Sequence, residues 1–120
     1  MRDATRGGLA TVLNEFAENS GKEIHLFEDQ IPIREEVRGI CEILGLDPLY
    51  LANEGKLIAI VPESKASEVV SRMKQHEEGK NTIAIGKVVS GKAGTVVMKT
   101  SFGGDRRLDM LVGEQLPRIC

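Results

Sequence analysis

The chain has 120 residues, 41% of them hydrophobic, which suffices for the core of one ordinary domain. Its formal charge is −2 and neither sign forms a run, so we expect neither nucleic acid nor a membrane surface as a partner. The two cysteines lack the spacing of a zinc site or a disulfide framework, and no apolar stretch reaches the ~20 residues of a membrane span. Because a secretory signal is also missing, the sequence predicts a cytoplasmic protein. The cysteine spacing predicts that it binds no metal.

The first third of the chain predicts a helix, a strand and a second helix. Apolar residues at helical spacing predict a helix over residues 9–19, with Asn14 on its polar side. Alternating apolar and polar residues then predict a strand over 22–27. The helical period returns over 34–44, where Cys41 falls on the apolar side and is expected to be a core cysteine without a function.

The middle of the chain predicts a strand between two turns and a third helix. A short helical turn is expected at 49–52, followed by a tight bend at Asn53-Glu54-Gly55 and a central strand over 57–61. Ser64 is placed to cap a helix over 64–77. We expect this helix to turn three apolar side chains to the core: Val69, Val70 and Met73.

The last third is rich in predicted strands. Runs at 83–89, 95–100 and 106–111, separated by glycine turns, predict an antiparallel meander. The whole pattern predicts an α+β fold: a mixed β-sheet with helices packed against it, in two or three layers. Residues 1–112 are assigned to this domain, and 113–120, which have no periodicity, to a flexible tail.

The chemistry that the residue types allow is concentrated at the end of the chain. Cys120 is a free thiol, and a cysteine thiolate is a good nucleophile toward an activated acyl group. An extended tail beyond Val112 could carry a covalently held group over roughly 25 Å. The alternative is that Cys120 is an incidental terminal residue, which is the commoner case for an arbitrary protein.

Two other segments allow a functional and a structural interpretation. The run Asp3-Ala4-Thr5-Arg6-Gly7-Gly8 precedes a helix, where backbone N–H groups could approach an anion or where Thr5 or Asp3 could simply cap the first turn. Glu54 could be a general base, although a glutamate in a tight bend is more often a solvated turn residue.

Taken together, the residues 1–10, the Asn53-Glu54-Gly55 segment and the terminal Pro117-Arg118-Ile119-Cys120 closely resemble the C-terminal half of hydrogenase maturation proteins of the HypE type. The last four residues are the most specific part of this resemblance. It extends over the whole chain and implies a domain of the aminoimidazole ribonucleotide synthetase and selenophosphate synthetase superfamily. In that family an N-terminal domain, absent here, forms the dimer and supplies most of the site for ATP and Mg²⁺.

The resemblance also implies a mechanism and a role for each candidate residue. The terminal cysteine, here Cys120, would accept a carbamoyl group from the carbamoyltransferase HypF, and ATP would drive its dehydration to a thiocyanate that gives cyanide to iron on a HypC–HypD complex. Glu54 would be the base, and the arm that carries the cysteine would be formed by Pro117, Arg118 and Ile119. The nucleotide pocket would be bordered by Asp3, Thr5, Arg6, Gly7 and Gly8.

The resemblance therefore implies an ATP-dependent carbamoyl dehydratase, a lyase, for the complete protein. This chain alone is expected to bind no cofactor and to be inactive. A different class of function stays open, in which the chain is a non-catalytic partner-binding or ligand-binding domain of another superfamily member.

Overall fold

The fold is given by a computed structural model that describes residues 2–4, 7–51 and 53–109, with the backbone alone at 2–4 and 53–55. The helices and strands within these ranges are β1 (Arg2–Ala4), α1 (Gly8–Ser20), β2 (Glu23–Phe27), α2 (Glu35–Leu44), β3 (Asn53–Ile58), α3 (Ala66–Lys74), β4 (Gly86–Val89), β5 (Thr95–Lys99) and β6 (Asp105–Leu108). The predicted α+β class with a mixed sheet is confirmed. The boundary predicted at 112/113 and the tail beyond it lie outside the described residues.

A four-stranded sheet forms the centre of the fold, in the order β4-β2-β5-β6. Strand β2 is antiparallel to β4 and parallel to β5, while β5 and β6 are antiparallel neighbours. The predicted meander is therefore wrong in its first step, because β2 lies between β4 and β5. The link between those two strands crosses the end of β2, where the N–H of Gly94 donates to the carbonyl of Lys22 at 3.0 Å.

Helix α1 covers one face of this sheet and supplies much of the core. The buried apolar cluster of the described residues joins α1 to β2, β5, β6 and the turn at 48–50, and its members are Ala10, Leu13, Ala17, Ile24, Leu26, Leu49, Val96, Met98 and Leu108. The predicted helix at 9–19 and strand at 22–27 are confirmed to within one residue at each end.

Asn14 corrects the predicted orientation of α1. The sequence analysis placed it on the polar side of the helix, yet its side chain is buried, with only 5% exposed. It shares a helical stripe with Ala10 and Ala17, which are both fully buried. The side of α1 that faces the sheet thus contains small alanines as well as large apolar residues. The predicted buried side was based on the large residues alone and was therefore rotated away from the observed one.

The other two helices lie on the periphery. Helix α2 has the predicted length and Cys41 is buried as predicted, but Ile43 on the same helix is 84% exposed. Helix α3 is shorter than the predicted 64–77, because a 3-10 turn at Glu63–Lys65 precedes it, and Ser64 lies within that turn and does not cap the helix. No residue of α3 is fully buried, and Val69, Val70 and Met73 are not among the side chains packed against the core, so their predicted core contact is wrong.

Strand β3 differs most from its prediction. It spans Asn53–Ile58 instead of 57–61, and it pairs with β1 in a separate two-stranded sheet, so it is not central. The predicted bend at Asn53-Glu54-Gly55 is part of this strand. The sequence of β1 is polar and did not indicate a strand. The apolar residues of β3 indicate a strand, but they do not indicate which other strand pairs with it. None of the helices described is long and apolar enough to cross a membrane.

Candidate active site

The N-terminus of α1 is one wall of the candidate site. Gly7 and Gly8 have φ values of 68° and 67°, in the left-handed region that glycine adopts readily. A Cβ atom on Gly8 would lie 2.6 Å from the carbonyl oxygen of Leu49 and 2.5 Å from that of Leu51. Gly8 is therefore required both by its backbone conformation and by the close approach of the chain after the turn at 48–50.

An irregular pairing of β1 with β3 forms the second wall. Asp3 is opposite Leu57, whereas the next residue, Ala4, is opposite Asn53. The backbone between Asn53 and Leu57, which includes Glu54, thus bulges where it faces the Asp3–Ala4 step. Bulges of this kind are common beside active sites, where they redirect a side chain. The two segments that the sequence analysis singled out separately, around Asp3 and around Glu54, are neighbours in the fold.

The turn at Pro48–Tyr50 links these two walls. The carboxylate of Asp47 accepts a hydrogen bond from the N–H of Leu49 at 2.9 Å and forms an ion pair with Arg106 of β6. Leu49 is buried in the core, and β3 starts shortly after the turn. The turn is consequently held to the sheet on one side and to Gly8 on the other.

Tyr50, at the end of this turn, reaches the last described residue of the chain. Its hydroxyl donates a hydrogen bond of 2.6 Å to the carbonyl oxygen of Asp109. Burial raises the pKa of the Tyr50 hydroxyl, and the negative charges of Asp47 and Asp109 act in the same direction, partly opposed by Arg106. The phenol accordingly stays protonated and able to donate across the neutral pH range.

Beside the glycines lies a polar atom that has no partner within the described part of the chain. The hydroxyl oxygen of Thr11, on the first turns of α1, is buried and has no hydrogen-bond partner among the residues that the structure describes. It also lies 2.1 Å from the position that a Cβ atom on Gly7 would take. Buried polar atoms in proteins are nearly always hydrogen-bonded, so an unpaired hydroxyl next to two glycines at a helix N-terminus suits an anionic ligand such as a nucleotide phosphate.

Several predicted site residues lie outside the described residues: Thr5, Arg6, Pro117, Arg118, Ile119 and Cys120. Of Asp3 and Glu54 the backbone position alone is described. Thr11, Asn14 and Tyr50 were not predicted as site residues. A signal existed for Asn14, since it is spaced four residues from Ala10 and three from Ala17, but none existed for Tyr50. Within the described ranges no three acidic, histidine or cysteine residues come together to hold a metal ion.

Residues 1–99 match the family model described as AIR synthase related protein, C-terminal domain. The chain belongs to this family. As a member of the AIR synthase related C-terminal domains, it is 54% identical over all of its 120 residues to a carbamoyl dehydratase HypE of Azotobacter vinelandii, and it covers 35% of that protein. The predicted resemblance to the C-terminal part of HypE is confirmed.

Two solved structures contain closely similar C-terminal domains. The structure of the hydrogenase maturation protein HypE in complex with ATP is 52% identical, with a TM-score of 0.91 over 99% of this chain and 37% of that one. In a HypE–HypF complex the matched chain is 41% identical, with a TM-score of 0.84 over 90% of this chain and 35% of that one. The chain therefore spans about a third of the length of the relatives that it matches.

Proposed function

We propose that this chain is the C-terminal part of an ATP-dependent carbamoyl dehydratase that makes the cyanide group for hydrogenase maturation. The observation that carries the proposal is the convergence of Gly7-Gly8, the Asp3–Ala4 step and the Glu54 bulge at one place in the fold. Similarity to HypE proteins over the full length of the chain supports it, since the aligned region includes Cys120.

In the proposed reaction Cys120 carries the group that is transformed. Its sulfur accepts a carbamoyl group from HypF, with which a relative of this chain has been solved in complex. ATP then phosphorylates the carbamoyl oxygen, which leaves as phosphate while the nitrogen loses both protons and becomes the nitrile of a thiocyanate. Glu54 is the base that removes an amide proton, and Pro117, Arg118 and Ile119 form the arm.

The remaining parts of the proposal concern the rest of the protein. We place most of the ATP and Mg²⁺ site in the N-terminal domain, with Asp3, Thr5, Arg6, Gly7 and Gly8 as the border from this side. A HypC–HypD complex is the proposed acceptor of the cyanide. The domain would comprise 1–112 and the mobile arm 113–120. Because the reaction uses ATP and a free thiol, the proposed compartment is the cytoplasm.

Replacing Cys120 in the complete protein tests the carrier role. Cys120→Ala should abolish cyanide formation, because alanine has no nucleophile. The free energy of unfolding should change by no more than about 0.5 kcal/mol, as for ordinary surface substitutions. Mass spectrometry after exposure to HypF and a carbamoyl donor should find one carbamoyl group on Cys120 of the unmodified sequence. Cys41→Ala is the matched control and should keep the activity, because Cys41 is buried in α2.

Glu54→Gln separates the two steps in the same assay. Carbamoylation of Cys120 should continue and dehydration should slow by about 10²-fold or more, since a base is needed only when the amide proton is lost. The control is Glu63→Gln, an exposed residue in the 3-10 turn before α3.

Cyanide formation by the Cys120→Ala variant would favour the alternative of a non-catalytic domain.

A further inference from the structure

The last two described carbonyl groups of the chain are both held by side chains from distant elements. The amide nitrogen of Asn14 donates to the carbonyl oxygen of Leu108 at 3.1 Å, and the hydroxyl of Tyr50 donates to that of Asp109 at 2.6 Å. Strand β6 ends at Leu108, so these bonds lie where the chain leaves the sheet. We call this pair of contacts the exit clamp.

The Asn14 half of the clamp is buried, and both N–H donors of its side-chain amide are used. Its amide nitrogen donates a second hydrogen bond, of 2.8 Å, to the carbonyl oxygen of Ala10 in the preceding turn of α1. An asparagine in the middle of a helix forms helix less readily than alanine, and burying its amide is costly unless the amide is bonded. A buried asparagine between Ala10 and Ala17 is consistent with a requirement for its contact to Leu108.

The Tyr50 half is held by the turn that also borders the site. Asp47 caps that turn and pairs with Arg106 of β6, while Leu49 anchors it in the core. The carbonyl oxygen of Leu49 is one of the two, with that of Leu51, that exclude a side chain at Gly8. The point where the chain leaves the sheet and the N-terminus of α1 are thus fixed to the same short turn.

We infer that Asn14 and Tyr50 are positioning residues, which fix the origin of the segment that ends in Cys120 relative to Gly8 and the Glu54 bulge. The inference rests on the proposed function. Ten residues lie between Asp109 and Cys120, and the eleven steps from one to the other can span at most about 36 Å. The effective concentration of a tethered group depends on the length and starting direction of its tether, and misplacement by about 1 Å can be costly to a reaction.

Tyr50→Phe in the complete protein is the sharpest test, because it removes one hydroxyl and keeps the ring. Single-turnover dehydration of preloaded Cys120 should slow about threefold to tenfold, while the KM for ATP stays unchanged. The matched control is Thr82→Val, which removes a hydroxyl that donates to the carbonyl oxygen of Gly79 at 2.6 Å, away from the chain exit. Melting curves of both variants give the folded fraction by which the rates are normalised.

Insertion of two glycines after Asp109 gives a readout that a purely structural role would not move. The insertion should slow dehydration in the unmodified sequence and add little in the Tyr50→Phe background, since it changes the length of the same tether whose starting direction Tyr50 fixes. A rate for Tyr50→Phe within twofold of that for Thr82→Val would overturn the inference. Fully additive effects of Tyr50→Phe and the glycine insertion would overturn it as well.

The failure of this inference can be distinguished from the failure of the proposed function. If Cys120→Ala stays active, the proposed function is wrong and this inference with it. If Cys120→Ala is inactive and Tyr50→Phe is normal, only this inference is wrong.

Discussion

Helices α1 and α2 are both amphipathic, and both end at a glycine in the left-handed conformation, Gly21 and Gly45. Their surroundings nevertheless differ. Helix α1 lies on the four-stranded sheet and buries its stripe completely, whereas α2 buries only Cys41 and leaves Ile43 largely exposed. The comparison shows that an apolar stripe predicts a helix with one apolar side, but it does not indicate whether the surface that covers this side belongs to the same chain.

The same substitution in the two helices should give the sharpest contrast. Leu13→Ala in α1 removes a side chain that is 4% exposed, and it should lower the free energy of unfolding by about 2–5 kcal/mol, through lost burial and the cavity left behind. Leu44→Ala in α2 removes one that is 61% exposed and should cost less than about 0.5 kcal/mol. Urea unfolding of the two variants measures both values; similar losses would show that the two helices are equally important for stability.

The glycines at the two ends of α1, Gly8 and Gly21, allow a second test of how closely the helix is packed against its surroundings. Gly8→Ala should destabilise by about 2–4 kcal/mol, because a left-handed conformation is unfavourable for alanine and its methyl group would collide with the carbonyl groups of Leu49 and Leu51. Gly21→Ala has the same φ but open space around it, so only the conformational cost of about 1 kcal/mol remains. Thermal denaturation of the pair isolates the contribution of the contact with the turn at 48–50.

The hydrogen bond from Tyr50 should contribute about 0.5–1.5 kcal/mol, and its contribution should depend on pH. Because the pKa of Tyr50 in the folded state is raised above its unfolded value of about 10, this contribution is complete below pH ~10 and is lost as the pH rises through the folded pKa. The difference in unfolding free energy between the unmodified chain and Tyr50→Phe should therefore shrink above pH ~10. A constant difference up to pH 11 would contradict this assignment.

The smallest effect is expected on the exposed side of α2. Ile43→Lys should change the unfolding free energy by no more than about 0.5 kcal/mol, because the side chain loses little contact and a cation suits the last turn of a helix. The slope of the urea transition should stay the same. A loss above about 1.5 kcal/mol would mean that α2 packs in solution against a surface of its own chain.

The sequence predicted those features that depend on short-range patterns. Both ends of α1 and the start of α2 lie within one residue of their predicted positions, since glycine stops and apolar periodicity are local signals. The place of β2 between β4 and β5 and the pairing of β3 with β1 depend on residues far apart in the chain, which no local pattern records.

The candidate site was predicted through its resemblance to a family more than through chemistry. Glycines before α1 and a glutamate near position 54 were each ambiguous by themselves. Only the fold shows that their segments face each other. The exit clamp had no sequence signal at Tyr50, because a single tyrosine in a turn does not indicate which carbonyl group it will bond.

The central position of β2 has a consequence for how the domain is made. Ile24 pairs with Val88 on one side and with Val96 on the other, so both neighbours of β2 come from more than sixty residues further along the chain. Such long-range pairing slows folding, because a large loop must close before β2 can contact either of its neighbours. During synthesis from the N-terminus, Ile24 and Leu26 have no sheet partner until the segment that carries β4 and β5 has left the ribosome. A ribosome pause before residue 86 would prolong the time that both edges of this strand stay unpaired, and unpaired strand edges are where association with other chains begins.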